Sequence, residues 1–312
     1  MNLFQVVAGF ARKDFDKKSM VYVLLMAALC IFLNYHFHLY QQFIRTSYEA
    51  GHSLWVLPLY YFSFYMLGAI PVLVFRKRTD LLANPIFYLK SAFYIGIYGM
   101  TIGYYGYLDW PLEKLGCTSL ETHFLYRCIY FSKSTIGPLL FLLLAKFTFD
   151  RYLSNFYGIG RSSAYIGRYL LLVACILPFV AAASFMPSFQ VMYPVFKPWN
   201  YEPLFGLPDC GKVLLFDSCY SLHYVGVELA MRGALVIGMA SLMGKDAVLP
   251  MAFMYCTLHF GKPLVETITS LFGGYILGAL AYETKHIWGG ILLHLGVAFG
   301  IDTAGILQHY LH

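Results

Sequence analysis

Residues 53–75 read SLWVLPLYYFSFYMLGAIPVLVF, an apolar run without a charged side chain that is followed directly by Arg76, Lys77 and Arg78. A helix needs about 20 predominantly apolar residues to cross a hydrocarbon core about 30 Å thick. This stretch therefore predicts a membrane-spanning helix with a basic loop at its end.

Comparable apolar runs recur along the rest of the chain, and each predicts another helix. We place these helices at residues 20–40, 88–108, 124–145, 163–186, 212–243, 247–260, 263–283 and 286–308. The stretch 247–260 is short, and prolines lie near both of its ends. We therefore expect it inside the bundle rather than against lipid.

The composition agrees with a membrane protein. Hydrophobic residues make up 59% of the chain and charged residues only 12%, whereas a soluble domain carries about 25% charged residues. The predicted fold is all-α, a polytopic transmembrane bundle of about eight or nine helices. A soluble domain is excluded.

The basic residues predict an orientation. Lys and Arg are more frequent in the loops on the N-terminal side of the predicted membrane, which favours a cytoplasmic N-terminus in a multi-pass protein of the cell (inner) membrane. These loops also account for the net charge of +6. No basic stripe with interleaved aromatic residues is present, so we predict no nucleic-acid partner.

Charged side chains inside the predicted helices point to residues 211–312 as the part that carries a site, with 1–210 supplying further membrane helices. Such a charge costs roughly 2.5–3.5 kcal/mol on insertion scales. Helix 212–243 places Asp217, Ser221, Tyr224, Glu228 and Arg232 on one stripe. Glu228 and Arg232 are one turn apart, so their side chains can meet. They form either a structural ion pair or part of a functional site.

Two histidines favour the functional interpretation. His259 ends the short helix and His294 lies in the last helix. At about 1.5 Å per residue, Glu228 and His259 both lie roughly 20 Å from the inner face and His294 roughly 12 Å. Glu266 follows His259 closely and is a further candidate.

A glutamate and two histidines can perform hydrolysis. The glutamate can act as a general base, a neighbouring histidine can share the proton, and a second histidine can donate a hydrogen bond to the oxyanion. The same residue types can bind zinc, but no HExxH motif is present. We predict no metal and no cofactor.

Glycines mark close packing and loops. Gly274 with Gly278, and Gly296 with Gly300, form two GxxxG pairs, which allow helix backbones to approach closely. The run Gly158-Ile159-Gly160 predicts a flexible loop.

Three segments resemble motifs of the CAAX prenyl protease and bacteriocin-processing (CPBP) family of glutamic intramembrane proteases. The first resembles Glu-Glu-x-x-x-Arg, the second resembles Phe-x-x-x-His, and the third resembles the stretch before the last histidine of the family. They are Glu228-Leu229-Ala230-Met231-Arg232-Gly233, Tyr255-Cys256-Thr257-Leu258-His259 and Ile287-Trp288-Gly289-Gly290-Ile291-Leu292-Leu293-His294.

The resemblance implies a helical bundle with a water-accessible cavity inside the membrane, and it implies roles for the matching residues. Glu228 and His259 would activate water, His294 would stabilise the oxyanion, and Arg232 would be the structural partner of the carboxylate. The substrate would be a membrane protein or peptide cleaved near a lipidated or membrane-embedded end.

The sequence departs from the family pattern at two positions. Val227 replaces the first glutamate of the doublet, which is commonly given the role of base. Ala298 stands where the family usually has Asn or Asp, with Asp302 one turn further on as a supporting candidate. Two alternatives to a protease stay open: an acyl or lipid transferase on the same scaffold, and a non-catalytic partner protein.

Overall fold

The computed structural model describes residues 3–104, 114, 116–160 and 166–311 of the chain. Within these ranges the chain is helical, and no β-strand occurs there beyond one isolated bridge between Phe156 and Ile159. The main helices are α1 (Leu3–Asp14), α2 (Lys17–Phe37), α3 (Ser53–Phe75), α4 (Pro85–Gly103), α5 (Ser119–Phe147), α6 (Ile166–Ala183), α7 (Asp209–Glu228), α8 (Val248–Thr257), α9 (Leu264–Thr284) and α10 (Trp288–Leu311).

Shorter helical segments lie between the main helices. Two of them are π-helices, Tyr40–Arg45 and Leu229–Gly238, and the second continues α7 directly. The others are Thr46–Glu49, Thr79–Leu82, Pro187–Met192, Pro198–Asn200, Ala240–Met243 and Gly244–Ala247.

The predicted polytopic helical fold is confirmed. Among the described residues, seven helical stretches are long and apolar enough to cross a membrane, and the chain is a multi-pass membrane protein. They are Lys17–Phe37, Ser53–Phe75, Ser119–Phe147, Ile166–Ala183, Asp209–Thr257, Leu264–Thr284 and Trp288–Leu311. The predicted span 88–108 corresponds to α4, and its last four residues lie outside the described part of the chain.

Local sequence signals set several helix ends. The Asp16 side chain accepts a hydrogen bond from the Ser19 backbone N–H at 2.8 Å and caps the start of α2. The Asn84 side chain caps α4, where Pro85 occupies the first turn. Lys285, with φ of 58°, ends α9 in the left-handed region.

The chain divides into two compact units. Unit 1 comprises Met1–Tyr105, Gly137–Ser162 and Glu228–Trp288, and unit 2 comprises Gly106–Ile136, Ser163–Val227 and Gly289–His312. The division at residue 210 that the sequence suggested stays a prediction.

The core of unit 1 is built around α8. Every residue of α8 is buried, which confirms that this short helix lies inside the protein. Buried side chains of α2, α3, α8 and α9, together with Phe260 from the turn after α8, form an apolar cluster in this unit: Val23, Ala27, Ile31, Val72, Leu249, Phe253, Cys256, Phe260 and Leu271.

The first GxxxG pair brings α9 close to α8. A Cβ on Gly274 would lie 3.0 Å from Tyr255 Cδ1, and one on Gly278 would lie 2.7 Å from Met251 Cε. Glycine at these positions allows the approach without displacement of Tyr255 or Met251, and helix association in a membrane depends on such packing.

The second GxxxG pair acts in unit 2, between α10 and α6. A Cβ on Gly296 would lie 2.5 Å from Val173 Cγ1, and one on Gly300 would collide with Leu177. An apolar cluster of unit 2 contains Phe124, Cys128, Phe196, Tyr201, Leu204, Phe216, Tyr220 and Ala298.

Candidate active site

The first motif lies where α7 changes into a π-helix. Glu228 is the last residue of α7, and Arg232 lies in the π-helix Leu229–Gly238, whose ten residues are all buried. Extended π-helical segments are rare, and shorter ones are frequent at functional sites. The change of helix type therefore coincides with the residues singled out from the sequence.

Glu228 and Arg232 form a buried ion pair in unit 1. Glu228 Oε1 lies 2.8 Å from Arg232 Nη1, and the two side chains are 0% and 1% exposed. The Arg232 guanidinium carbon also lies 4.2 Å from the centre of the Tyr255 ring on α8. A cation over an aromatic face is stabilised by the ring quadrupole, so Tyr255 helps to hold the arginine that holds the glutamate.

His259 contacts the same tyrosine. It lies in the turn that follows α8, with Nδ1 3.2 Å from the Tyr255 backbone oxygen and its ring 4.9 Å from the Tyr255 ring. Unit 1 thus brings Glu228, Arg232, Tyr255 and His259 into one series of contacts. Tyr255 is the residue through which the first motif meets the second.

Hydrogen bonds from α2 and α9 fix the turn that carries His259. Thr267 Oγ1 donates to the His259 backbone oxygen at 2.5 Å, and Asn34 Nδ2 donates to the Phe260 oxygen at 3.0 Å. The Tyr35 hydroxyl donates to the Lys262 oxygen at 2.5 Å. These bonds restrict the backbone beneath the histidine.

Glu266 lies at the start of α9 in a partly exposed ion pair. Its Oε1 is 3.6 Å from Lys262 Nζ, and the two side chains are 34% and 37% exposed. Such pairs contribute little to stability. The supporting role predicted for Glu266 stays a prediction.

His294 and Asp302 belong to unit 2. The His294 ring on α10 stacks on Tyr224 of α7, with ring centres 5.6 Å apart and planes inclined by 15°. The Tyr224 hydroxyl donates to the Tyr220 hydroxyl at 2.6 Å. Asp302, two turns after His294, is buried, and its Oδ1 accepts a hydrogen bond from the Val195 backbone N–H at 2.8 Å.

A second buried ion pair holds the far end of the π-helix. Lys90 Nζ lies 2.6 Å from Asp150 Oδ1 and donates to the Gly238 backbone oxygen at 2.8 Å. The hydroxyls of Tyr94 and Tyr157 both donate to Asp150 Oδ2. The π-helix is therefore anchored by charged and tyrosine side chains from α4 and the loop after α5.

The same loop packs tightly against the π-helix through glycines. A Cβ on Gly233 would lie 2.7 Å from the Tyr157 backbone oxygen, and one on Gly238 would lie 2.8 Å from the Tyr94 hydroxyl. A Cβ on Gly158 would lie 2.7 Å from Ile237 Cδ1. The sequence suggested a flexible loop at Gly158, whereas the structure shows a tightly packed one.

Sequence reasoning missed the roles of Tyr255 and Lys90. Tyr255 stands where the second family motif has Phe, and that position alone does not indicate a contact with Arg232. Lys90 lies near the start of a predicted span, where a lysine ordinarily reaches the interface, so nothing in the sequence indicated its burial. Among the described residues, no three His, Cys, Asp or Glu side chains are grouped closely enough to hold a metal ion.

Among the comparisons with known proteins, a match to a protein family covers part of the C-terminal third of the chain. A search of curated proteins and a search of solved structures both found no match. A protein-family model described as type II CAAX prenyl endopeptidase Rce1-like matches residues 219–300, a segment that contains Glu228, Arg232, His259, Glu266 and His294 but not Asp302. The resemblance seen in the motifs is therefore confirmed: residues 219–300 match the Rce1-like family of type II CAAX prenyl endopeptidases, a CPBP family.

Proposed function

We propose that this protein is an intramembrane endopeptidase that hydrolyses a membrane-associated protein or peptide near its lipidated end. The observation that carries the proposal is the series of contacts from Glu228 through Arg232 and Tyr255 to His259. These contacts lie within the segment that matches an endopeptidase family. The family's name supports a prenylated C-terminal peptide as the substrate class.

In the proposed reaction Glu228, assisted by His259, removes a proton from a water molecule as that water attacks the carbonyl carbon of the scissile amide. His294 donates a hydrogen bond to the oxyanion of the tetrahedral intermediate. The proton then passes to the leaving nitrogen as the C–N bond breaks. The products are a new carboxyl terminus and a released amine, and no cofactor takes part.

Arg232 has a supporting role in this mechanism. A buried carboxylate is unstable in its ionised form unless it is paired and hydrogen-bonded. The Arg232 guanidinium pairs with the Glu228 carboxylate at 2.8 Å, and its carbon lies 4.2 Å from the centre of the Tyr255 ring. Because Val227 cannot serve as a base, Glu228 carries that role alone.

The test uses the purified full-length protein in liposomes and a peptide that ends in farnesyl-Cys followed by three residues. In H₂¹⁸O, hydrolysis places ¹⁸O in the new carboxyl group of the cysteine, whereas acyl transfer forms a new ester or amide. We expect Glu228→Gln, His259→Ala and His294→Ala each to lower the rate about a hundredfold or more. Glu49→Gln is the matched control, because the Arg45–Glu49 pair has the same i,i+4 spacing and its side chains are 72% and 62% exposed.

The complete burial of the Glu228–Arg232 pair favours a second candidate, a non-catalytic partner protein on the same scaffold. That candidate predicts no cleavage by the wild type and equal substrate binding by all four variants. Full cleavage by either Glu228→Gln or His259→Ala would exclude the proposed mechanism. The cytoplasmic location of the N-terminus and the identity of the membrane stay predictions.

A further inference from the structure

Unit 2 contains a cavity of about 370 Å³ whose lining includes two cations, Arg127 and Lys197. Helix α5 and the segment between α6 and α7 form its walls. The polar lining residues are His123, Arg127, Lys197, Asn200 and Tyr201. No acidic residue of the described chain is among the lining residues.

Arg127 is a partly buried member of this lining. It lies eight residues into α5, about 12 Å from the start of the helix. One Nη donates to the Val195 backbone oxygen at 2.8 Å, and the other lies 3.5 Å from the Tyr201 hydroxyl. The guanidinium carbon lies 4.8 Å from the centre of the Phe216 ring. A guanidinium has five N–H donors, so these contacts leave donors for a ligand.

The positive charge of this cavity is not balanced by the described residues. Neither Arg127 nor Lys197 has a carboxylate within 4.0 Å in that part of the chain. Two carboxylates near in sequence are engaged elsewhere: Glu121 accepts from the Thr118 backbone N–H at 2.8 Å, and Glu202 lies 3.6 Å from Lys212. A cation inside a membrane helix pairs with an opposite charge or with backbone carbonyls. Arg127 has one such carbonyl, and its remaining donors suit an anionic ligand.

A row of aromatic rings on α7 connects this cavity to His294 within unit 2. Arg127 lies over Phe216, the ring centres of Tyr220 and Tyr224 are 5.0 Å apart, and His294 stacks on Tyr224. The eight residues from Phe216 to Tyr224 rise about 12 Å. An extended peptide covers that distance in about three or four residues, at roughly 3.3–3.6 Å each.

We propose that this cavity binds the free C-terminal carboxylate of the peptide substrate, an inference that rests on the proposed function. In a CAAX sequence the prenylated cysteine is followed by three residues, so the carboxylate lies about one such span from the bond after the cysteine. Arg127 binds the carboxylate through paired N–H groups. Lys197 and the Asn200 amide complete the site. The cavity thereby fixes which bond reaches His294.

The test compares two farnesylated peptides that differ only in ending with a carboxylate or a carboxamide. A methyleneamino linkage replaces the scissile amide, so binding is measured without turnover. We expect the wild-type protein to bind the carboxylate peptide at least about tenfold more tightly, as for a charge-assisted hydrogen bond. Arg127→Gln should remove this preference and Lys197→Gln should reduce it. Arg151→Gln, an exposed arginine that donates to the Phe147 oxygen, should leave it unchanged.

Two controls keep the result interpretable. Arg127→Lys retains the charge without the paired donors and should show an intermediate preference. Lys197→Gln changes a side chain whose hydrogen bond is to the Val191 oxygen, so it tests the site even if Arg127→Gln unfolds the protein. An unchanged preference in both Lys197→Gln and folded Arg127→Gln overturns the proposal.

Other anions have the same chemistry and give different outcomes. If wild-type protein binds both peptides equally while Arg127→Gln alone loses phosphatidylglycerol in native mass spectrometry, the cavity is a lipid-phosphate site and the proposal is wrong. If inorganic phosphate binds to the cavity but displaces neither peptide, the proposal is likewise wrong. Preference for the carboxylate without hydrolysis of the amide-containing peptide would leave this site standing and exclude the proposed function. Equal hydrolysis of the carboxylate and carboxamide substrates would support the proposed function and exclude the carboxylate site.

Discussion

Arg232 Nη1 lies 2.8 Å from Glu228 Oε1 across one turn of a fully buried helical segment. Removing two charges from water costs several kcal/mol per ion, and their attraction does not ordinarily exceed that cost by much. Two apolar side chains would stabilise this position at least as well. A contribution to folding therefore does not by itself explain the pair, and the role of Glu228 as a base stays a proposal.

Substitutions of this pair separate stability from chemistry. Glu228→Gln or Arg232→Gln leaves one buried charge without its partner, and we expect a loss of about 3–5 kcal/mol of unfolding free energy. The double variant Glu228→Leu/Arg232→Met should recover most of that stability. It should still cleave no peptide, because the base is absent. Thermal unfolding in detergent and the peptide assay measure the two effects.

The double variant decides between the two roles of the pair. A purely structural pair predicts that Glu228→Leu/Arg232→Met is stable and loses no function that the wild type has. Recovery of both stability and cleavage would contradict the role of Glu228 as a base.

The Lys90–Asp150 pair should be important for stability. Its side chains are 7% and 0% exposed, so Lys90→Met leaves a buried carboxylate and should cost about 3–5 kcal/mol. Lys13→Met is the control, because Lys13 lies 3.6 Å from Glu283 with side chains 69% and 28% exposed. Exposed pairs contribute about 0–1 kcal/mol. Equal shifts in melting temperature for the two variants would show that the Lys90 pair is not structural.

Glycine substitutions test how tightly the π-helix is packed. Gly233→Ala and Gly238→Ala place a Cβ against Tyr157 and Tyr94, and we expect losses of about 1–3 kcal/mol from overpacking. Gly273→Ala adds a Cβ that meets nothing within 4 Å and should stabilise α9 by about 1 kcal/mol. Melting temperatures should therefore shift in opposite directions. A gain for Gly233→Ala would mean that the loop can move away from the helix.

The membrane helices could be predicted because a helix must contain enough consecutive apolar residues to cross the bilayer. The burial of α8 followed from its shortness and its flanking prolines. The Glu228–Arg232 contact followed from helical spacing alone. Each of these features depends on residues close together in the sequence.

The parts that could not be predicted depend on residues far apart. Lys90 and Asp150 are separated by 60 positions, and no local pattern joins them. The π-helix closes hydrogen bonds over five residues instead of four, and it is accompanied by tight packing of the Tyr157 loop against Gly233. The contact between Arg232 and Tyr255 depends on how the π-helix packs against α8. The motif spacing therefore indicated the two residues but not that they touch.

Asp302 should act on substrate recognition through the backbone of Val195. Its Oδ1 accepts from the Val195 N–H at 2.8 Å, while the Val195 oxygen accepts from Arg127 at 2.8 Å. Asp302→Leu removes one of these two bonds and should release the segment that orients Arg127. We expect the preference for the carboxylate peptide to fall about threefold to tenfold, the value of one hydrogen bond.

Asp302→Asn tests whether the acceptor or the charge matters. Asparagine keeps an oxygen for the Val195 N–H, so the preference should stay close to that of the wild type. If Asp302→Asn loses as much as Asp302→Leu, the negative charge of Asp302 acts on the site directly. If neither variant changes the preference while Arg127→Gln abolishes it, Arg127 is oriented by its own contacts with Tyr201 and Phe216, and Val195 serves only to close the wall of the cavity.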